Sequence, residues 1–252
     1  MISIKSQAEL GLMAQAGRIV SLIIEELASK AKPGISTYEL DKKADILLQQ
    51  SSAKSAFKGY NGFPGNICTS LNNELIHGIP SKKRILKEAD ILSLDVGVNF
   101  KGYYADAAVT LPVGNINIDA IRLIAAARKA LYSGIDKARS KGRLSDISCA
   151  VQRYVEESGY SVVRDFVGHG IGSRIHEDPE IPNYGLPGHG PALKPNMVLA
   201  IEPMINAGGH KVKVLADGWT VVTCDGKLSA HFEHTVCVTE GEPLILTASK
   251  LI

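Results

Sequence analysis

Residues 91–113 read "ILSLDVGVNFKGYYADAAVTLPV", and this stretch decides the fold. Two apolar, β-like runs flank a short polar turn, which predicts an antiparallel hairpin. Asp95 lies within the first run and Asp106 within the second. A carboxylate in such apolar surroundings is costly unless it is paired with a cation or bound to a metal. The hairpin is therefore both a structural element and a candidate binding site.

The register of this hairpin follows from its turn. We place Phe100 and Lys101 in a two-residue loop, with Gly102 close behind. In that register Asp95 lies directly opposite Asp106, and their Cβ atoms are roughly 5 Å apart, where like charges repel unless a cation lies between them. The alternative is a solvent-facing pair on a wet sheet face, but the flanking runs "ILSL" and "AAV" do not favour it.

Two pairs of helices are predicted on either side of the hairpin. Residues 6–30 carry apolar side chains at three- and four-residue steps, which is typical of an amphipathic helix. "STYE" at 36–39 is a capping box that begins a second helix, to about Gln50. Residues 118–140 and 145–159 predict two more helices, and β-rich sequence follows each pair.

The order helix, helix, strands thus occurs twice. The breakers "AKPGIS" and "SKGRLS" precede helices that start at Ser36 and Ser145. This order favours a pseudo-two-fold duplication, with coincidence as the alternative because the halves share little sequence similarity. We expect an α+β fold with a central antiparallel sheet covered by helices. No linker separates the halves, about 1–113 and 114–252, so we expect residues 1–252 to form a single domain.

Composition excludes several classes of protein. The net charge of the 252 residues is +2, which does not indicate a surface for nucleic acid or anionic membrane. No apolar run reaches the roughly 18 residues of a membrane-spanning helix, and no signal peptide is evident. Four scattered cysteines without a C-x-x-C pair argue against structural zinc and disulfides. We expect a cytoplasmic protein with reduced thiols.

Two further carboxylates lie in strand-like apolar runs. Glu202 lies in "MVLAIEPMI" (197–205), and Glu233 lies in "LSAHFEHTVCV" (228–238). One buried carboxylate often forms a salt bridge, but four in such runs favour a shared cation cluster. Oxygen-rich ligation with one imidazole suits Mn²⁺, Fe²⁺, Co²⁺ or Zn²⁺.

The imidazole comes from the segment "DFVGHGIGSRIHED" (165–178). Three glycines in five residues around His169 disfavour a helix, and a loop between His169 and His176 lets each ring approach one site separately. We expect one ligand and one substrate contact. A phosphate-binding glycine loop is the alternative, but position 173 is Ser and no helical pattern follows.

The ordered set of motifs resembles the methionine aminopeptidases, type I. The matching motifs span essentially the whole chain: "NELIHGIP" (73–80), "VGHGIG" (167–172), "HEDP" (176–179), "AIEPM" (200–204) and "HFEHT" (231–235). The five residues that match the family's metal ligands are Asp95, Asp106, His169, Glu202 and Glu233. The resemblance implies the duplicated pita-bread fold and a single catalytic domain.

The resemblance also implies a reaction. Enzymes of this family remove the N-terminal initiator methionine from nascent polypeptides when the second residue is small, with water activated by two divalent metal ions. Co, Mn, Fe or Zn is implied as the metal. Asp95 is assigned to one ion and His169 to the other, with Asp106 and Glu233 as bridges. Glu202 is assigned both as a ligand and as the group that moves the proton.

The same resemblance assigns the substrate contacts. His176 is expected at the scissile carbonyl and His77 at the amide nitrogen of the departing residue. The residues that match the methionine pocket are Tyr60, Phe63, Cys68 and Trp219. Taken alone, each of these side chains is also typical of core packing, and a lone histidine is often structural. We interpret the remaining histidines as structural: His189, His210, His231 and His234.

The chain departs from the family's common pattern near the site. Different residues flank the second aspartate and the pocket: Phe57, Asn61, Tyr104, Ala105, Ala107, Ala108 and Ile175. No metal ligand is changed. We expect a different pocket shape and different hydrogen bonding around Asp106, but the same reaction.

Two alternatives and several partners complete the interpretation. A pita-bread peptidase of the Xaa-Pro type usually carries a separate N-terminal domain, which we do not expect here. A non-catalytic, peptide-binding relative would lose ligands, whereas all five are present. The implied partners are N-terminal Met peptides of nascent chains, with transient ribosome association. We expect a monomer that binds neither nucleic acid nor membrane.

Overall fold

The computed structural model describes residues 2–252 of the chain. It contains four α-helices: α1 Gln7–Lys30, α2 Thr37–Gln50, α3 Ile118–Ile135 and α4 Leu144–Glu157. The strands are β1 Lys54–Ser55, β2 Cys68–Leu71, β3 Glu74–Ile76, β4 Ile91–Phe100, β5 Tyr103–Pro112, β6 Ser161–Val162, β7 Gly168–Gly170, β8 Glu177–Ile181, β9 Val198–Ile201, β10 Met204–Asn206, β11 Val212–Val214, β12 Val221–Thr223, β13 Ser229–His231, β14 Glu233–Cys237 and β15 Leu244–Ile245. The predicted order helix, helix, strands is confirmed in both halves.

The helix starts follow local side-chain chemistry. The capping box predicted at Ser36 is confirmed, because Ser36 accepts from the Glu39 N–H while the Glu39 carboxylate accepts from the Ser36 N–H. The predicted start of α4 at Ser145 is wrong, since this helix begins at Leu144. Its first turn is closed by Asp146, which accepts from the Arg143 N–H at 2.7 Å.

Helix α3 is shorter than the predicted 118–140. It ends at Ile135, and the next residue is Asp136. The Asp136 carboxylate pairs with the Arg139 guanidinium at 2.6 Å, and the Arg139 Nε–H donates to the Asp136 carbonyl. These contacts satisfy the end of the helix and turn the chain toward α4.

The hairpin of β4 and β5 differs in register from the prediction. Its two-residue loop is Lys101–Gly102, with φ of 52° and 87°, because a turn of this kind requires positive φ at both positions and Gly102 adopts it freely. The predicted direct opposition of the two aspartates is therefore wrong. Asp95 lies opposite Ala108, and Asp106 lies opposite Gly97. The partner of Asp95 is thus two residues further along β5 than predicted. Because the shift is an even number of residues, both carboxylates stay on one face of the sheet as diagonal neighbours.

A nine-stranded sheet joins the two halves. Its order is β1-β4-β5-β14-β9-β7-β8, with β2 paired to β4 and β15 paired to β14. The halves meet where β5 pairs antiparallel with β14. Every named pairing in the sheet is antiparallel, so the predicted central antiparallel sheet is confirmed.

The helices bury their apolar faces against this sheet. Val20, Ile24 and Leu27 of α1 are fully buried in a core that also contains Leu123 of α3 and Val151 of α4. Fold class α+β is thereby confirmed. None of the helices in residues 2–252 is long and apolar enough to cross a membrane.

Candidate active site

The order of strands in the large sheet brings the five proposed ligands together. Adjacent strands β4, β5 and β14 carry Asp95, Asp106 and Glu233. Glu202 directly follows β9, the next strand, and His169 lies at the centre of β7 beyond it. Four strands and the residue that follows a fifth thus each supply one side chain, and all five side chains line one cavity of about 260 Å³.

Within this cavity the ligand atoms lie close to one another. Ligand atoms of Asp106, His169 and Glu233 all lie within 4.8 Å of one another. The Nε2 of His169 is 3.6 Å from Asp106 Oδ2 and 3.5 Å from Glu202 Oε1. Asp106 and Glu233 are each only 3% exposed, which puts their carboxylates out of contact with bulk water. The arrangement is a compact, acidic, largely dehydrated cluster.

This crowding changes the protonation of the carboxylic acids. Burial raises the pKa of Asp95 to about 7 and that of Asp106 to about 7. Burial also raises the pKa of Glu202 to about 8, and the Asp106 charge adds to it. The pKa of Glu233 lies well above its usual value because of burial and the charges of its neighbours. Without a cation, the cluster therefore holds protons that an exposed carboxylic acid would release.

The residues fit a bound divalent cation. Among residues 2–252, no lysine or arginine forms an ion pair with any of these four carboxylates. The buried Oδ1 of Asp95 has no hydrogen-bond partner in the described part of the chain, although such atoms are nearly always satisfied. Four carboxylates and one imidazole form an oxygen-rich donor set that suits first-row divalent metals.

Neighbouring groups orient the ligands toward the cluster. The Nδ1 of His169 lies 2.9 Å from the Gly170 carbonyl oxygen. A carbonyl only accepts, so Nδ1 carries the proton and Nε2 presents its lone pair to the cluster. The Thr235 hydroxyl lies 2.9 Å from Asp106 Oδ1 and accepts from the Asp106 N–H at 3.0 Å. The hydrogen bonds to the His169 ring and to the Asp106 carboxylate restrict the rotamers of these two side chains.

The two histidines expected on the substrate side also line the cavity. The ring of His176 packs edge to face on that of His169, with centroids 4.4 Å apart. The ring of His77 lies between Phe166 and Trp219, each at 6.0 Å. Burial lowers the pKa of His77 to about 4, so its imidazole is neutral near pH 7. Burial also lowers the pKa of His176 to about 4. Both imidazoles can therefore act as neutral hydrogen-bonding groups beside the acidic cluster.

All four residues expected in the methionine pocket line the cavity: Tyr60, Phe63, Cys68 and Trp219. Phe63 and Trp219 meet edge to face, with ring centroids 5.1 Å apart. Cys68 on β2 lies directly opposite Asp95 on β4. The apolar wall and the acidic cluster are therefore continuous, which suits a ligand with an apolar side chain next to a reacting polar bond.

The residues that depart from the family's pattern shape this wall. Phe57 and Asn61 line the cavity, whereas Ile175 is buried behind it. A Cβ at Gly97 would lie 2.6 Å from the Phe57 ring, so glycine is required for the ring to pack there. Ala108 lies directly between Asp95 and Glu233 in the sheet, where its methyl group offers neither carboxylate a hydrogen bond.

Sequence reasoning missed one residue of the site. His231 was interpreted as structural, but its Nε2 lies 3.5 Å from Glu202 Oε2. The ring is 2% exposed, and neither of its nitrogens has a hydrogen-bond partner in residues 2–252. A usable signal exists in the sequence: His231 precedes Glu233 by two residues in a β-like run, so both side chains point to the same face.

Comparisons with known proteins agree with this geometry. Residues 11–240 match metallopeptidase family M24. Methionine aminopeptidase 1 of Bacillus subtilis is 56% identical over 247 residues, which cover 98% of this chain and 99% of that protein. The crystal structure of methionine aminopeptidase from Thermotoga maritima is 42% identical, with a TM-score of 0.97 over 99% of this chain and 100% of that chain.

A second solved structure gives the same result. Methionine aminopeptidase from Rickettsia prowazekii is 40% identical, with a TM-score of 0.96 over 98% of this chain and all of that chain. Such similarity over the full length confirms the predicted pita-bread fold. The chain belongs to metallopeptidase family M24 and, within it, to the methionine aminopeptidases.

Proposed function

We propose that this protein removes an N-terminal methionine from polypeptides whose second residue is small. The observation that carries the proposal is the convergence of Asp95, Asp106, His169, Glu202 and Glu233 in one cavity beside an apolar wall. The similarity to methionine aminopeptidases supports the same reaction. We further propose that residues 1–252 act as one catalytic domain, because the ligands come from both sides of the β5–β14 pairing.

The five ligands are proposed to hold two divalent ions. Asp95 is assigned to one ion and His169 to the other. By resemblance to the methionine aminopeptidases, Asp106 and Glu233 would contribute to both ions and Glu202 would complete the set. Co, Mn, Fe or Zn is compatible with this donor set. When bound, such ions polarise the scissile carbonyl and lower the pKa of a water molecule.

The chain's own residues position the peptide and move the protons. Glu202 accepts a proton from the attacking water and passes it to the leaving amine as the C–N bond breaks. The His176 imidazole donates to the carbonyl oxygen as negative charge develops there. The His77 imidazole accepts from the amide N–H of the second residue.

The apolar wall is proposed to select methionine. Phe63 and Trp219 present aromatic surface to a flexible thioether side chain, and contacts between sulfur and aromatic rings are favourable. The cavity of about 260 Å³ lies at the small end of ligand pockets, so it suits one side chain. We propose nascent chains as substrates, met in the cytoplasm during transient ribosome association by a monomeric enzyme.

The proposal is tested with the peptide Met-Ala-Ser and with Xaa-Pro peptides. The chelated protein is assayed after stepwise addition of Mn²⁺, Fe²⁺, Co²⁺ and Zn²⁺. Activity should return with metal and should be confined to the Met peptide. Glu202→Gln keeps the side-chain shape but removes the proton acceptor, so kcat should fall by about 100-fold or more.

The matched control is Glu39→Gln, which changes the same functional group in the capping box of α2. This variant should retain the parent kcat, because glutamine also serves in a capping box. Hydrolysis by Glu202→Gln at the parent rate would refute the proton-transfer role. A preference for Xaa-Pro peptides would refute the proposed substrate.

A further inference from the structure

Tyr60 makes a contact that a pocket wall does not need. Its hydroxyl lies 2.8 Å from Nδ1 of His176, and the two ring centroids are 5.2 Å apart. Among residues 2–252, this is the one hydrogen bond that the His176 ring makes with another side chain. Tyr60 is 38% exposed, so much of its ring lies at the mouth of the cavity and not against its apolar floor.

The backbone around Tyr60 holds the hydroxyl in place. Residues 57–63 form a closed turn in which the Gly59 N–H donates to the Phe63 carbonyl at 2.8 Å. The Tyr60 N–H donates to the Phe57 carbonyl at 2.9 Å, and its carbonyl accepts from the Phe63 N–H at 2.9 Å. Gly59 has φ of 84°, a conformation that favours glycine. The turn fixes the position from which the Tyr60 side chain projects.

The backbone of His176 is also held, but its ring is not. Ile175 on one side is 4% exposed, and Glu177 on the other forms an ion pair with Lys5 at 2.7 Å. The imidazole itself is exposed on one side and packs on His169 through an edge-to-face contact, which does not distinguish its two nitrogens. The hydrogen bond from Tyr60 is therefore the contact that can set the orientation and tautomer of this ring.

The chemistry of the two groups decides which one donates. A phenol O–H is far more acidic than the N–H of a neutral imidazole, and an imidazole nitrogen is a far better acceptor than a phenol oxygen. Tyr60 therefore donates and Nδ1 accepts. A neutral ring in this state carries its hydrogen on Nε2. None of the described residues hydrogen-bonds Nε2, so this N–H is free to meet a substrate.

We propose that Tyr60 is a positioning residue that holds His176 as the Nε2–H tautomer, with that N–H directed at the scissile carbonyl oxygen. This inference rests on the proposed function, because it assigns the ring a donor role toward a peptide carbonyl. It changes the expected role of Tyr60, which sequence reasoning placed in the methionine pocket. Oriented donors of this kind act on charge that develops in the transition state.

Steady-state kinetics on Met-Ala-Ser separate the two roles. Tyr60→Phe removes only the hydroxyl and keeps the ring, so binding of the methionine side chain should change little. We expect kcat to fall about fivefold to tenfold, the effect of losing one orienting hydrogen bond, with KM within about twofold of the parent. In a His176→Ala background, the same substitution should cause no further loss.

Tyr132→Phe is the matched control. Tyr132 is 39% exposed, and its hydroxyl makes one hydrogen bond of 2.9 Å, to the Ile252 carbonyl, outside the cavity. The Tyr132→Phe substitution should lower kcat by less than about twofold. An unchanged kcat in Tyr60→Phe, or a change in KM alone, would overturn the positioning role and leave Tyr60 as a pocket wall.

Nuclear magnetic resonance of ¹⁵N-histidine in the metal-free protein gives a readout that does not depend on activity. The His176 signals are assigned by their absence from the spectrum of His176→Ala. We expect a protonated Nε2 and an unprotonated, hydrogen-bonded Nδ1 in the parent, with the Nδ1 signal shifted in Tyr60→Phe.

A parent ring protonated on Nδ1 would overturn the inference whatever the kinetics show. A parent protein that does not hydrolyse Met-Ala-Ser would instead refute the proposed function, and the spectrum would still decide the tautomer. An active parent with the Nδ1–H form would refute the inference alone.

Discussion

Thr235 illustrates, at the scale of single residues, how a ligand is prepared before metal arrives. Its side chain is fully buried on β14, and its one hydroxyl contacts both the carboxylate and the backbone N–H of Asp106 on β5. Burial raises the pKa of Asp106, and the hydrogen bond between the Thr235 hydroxyl and the carboxylate lowers it by a smaller amount. The hydroxyl therefore favours the ionised form that a metal requires.

Thr235→Val tests this role, because it keeps the side-chain shape and removes the hydroxyl. We expect Mn²⁺ affinity, measured by isothermal titration calorimetry, to fall about tenfold or more. Thr223→Val is the control, since Thr223 is 2% exposed and its hydroxyl donates to the Lys227 carbonyl at 2.8 Å. Equal losses of affinity in both variants would mean that the effect is a general consequence of burying an unpaired group.

The segment 171–178 shows how an element is held so that His176 can act. Glu177 accepts from Lys5 Nζ at 2.7 Å, from the Ser3 hydroxyl at 2.7 Å and from the Arg174 N–H at 3.2 Å. A Cβ at Gly172 would lie 2.3 Å from Lys5 Cε and 2.8 Å from Glu177 Oε1, so a larger residue there would displace the ion pair. The N-terminal segment and the His176 segment are thus tied by one buried ion pair.

This ion pair predicts a pH dependence of stability. Burial opposes ionisation of Glu177, but the hydrogen bonds from Lys5 and Ser3 prevail and lower its pKa to about 2. A lowered carboxyl pKa stabilises the fold above the usual value near 4.5, and this contribution is lost as the pH falls toward 2. We therefore compare the free energy of unfolding in urea between the parent and Glu177→Gln. The difference between the two proteins should be about 1 kcal/mol smaller at pH 3.5 than at pH 6.

Glu157→Gln is the control for this experiment, because the Glu157 side chain is 63% exposed and pairs with Arg153 on the surface. Its effect on stability should be small at both pH values. A difference between the parent and Glu177→Gln that stays the same at pH 6 and pH 3.5 would contradict the assigned ionisation of Glu177.

The elements were predictable where local chemistry determines them. The capping box at Ser36 is visible in the sequence because both partners lie within four residues. The hairpin was predicted, but its register was not, since the choice between loops Phe100–Lys101 and Lys101–Gly102 depends on which residues adopt positive φ. Both loops contain Lys101, so the choice depends on whether Phe100 or Gly102 adopts positive φ; Gly102 does so at 87°, and sequence reasoning wrongly placed it one position outside the loop.

At the scale of the whole molecule, the site exists because two halves share one sheet. The pairing of β5 with β14 joins residues about 125 positions apart, and it places Asp106 and Glu233 on adjacent strands. Sequence reasoning recognised the carboxylates because charge in an apolar strand is anomalous. It favoured a shared cation cluster on that ground, but it could not place the five strands side by side, since strand order depends on long-range pairing. The contact of His231 with Glu202 joins residues 29 positions apart, so the spacing of His231 from Glu233 could indicate only its face and not this partner.

The most direct test of the account is anomalous diffraction from a crystal of the parent protein soaked in Mn²⁺. We predict two anomalous peaks in the cavity, within coordination distance of Asp95, Asp106, His169, Glu202 and Glu233. Peaks outside this cavity, or no peak among these five side chains at a Mn²⁺ concentration that restores hydrolysis of Met-Ala-Ser, would contradict it.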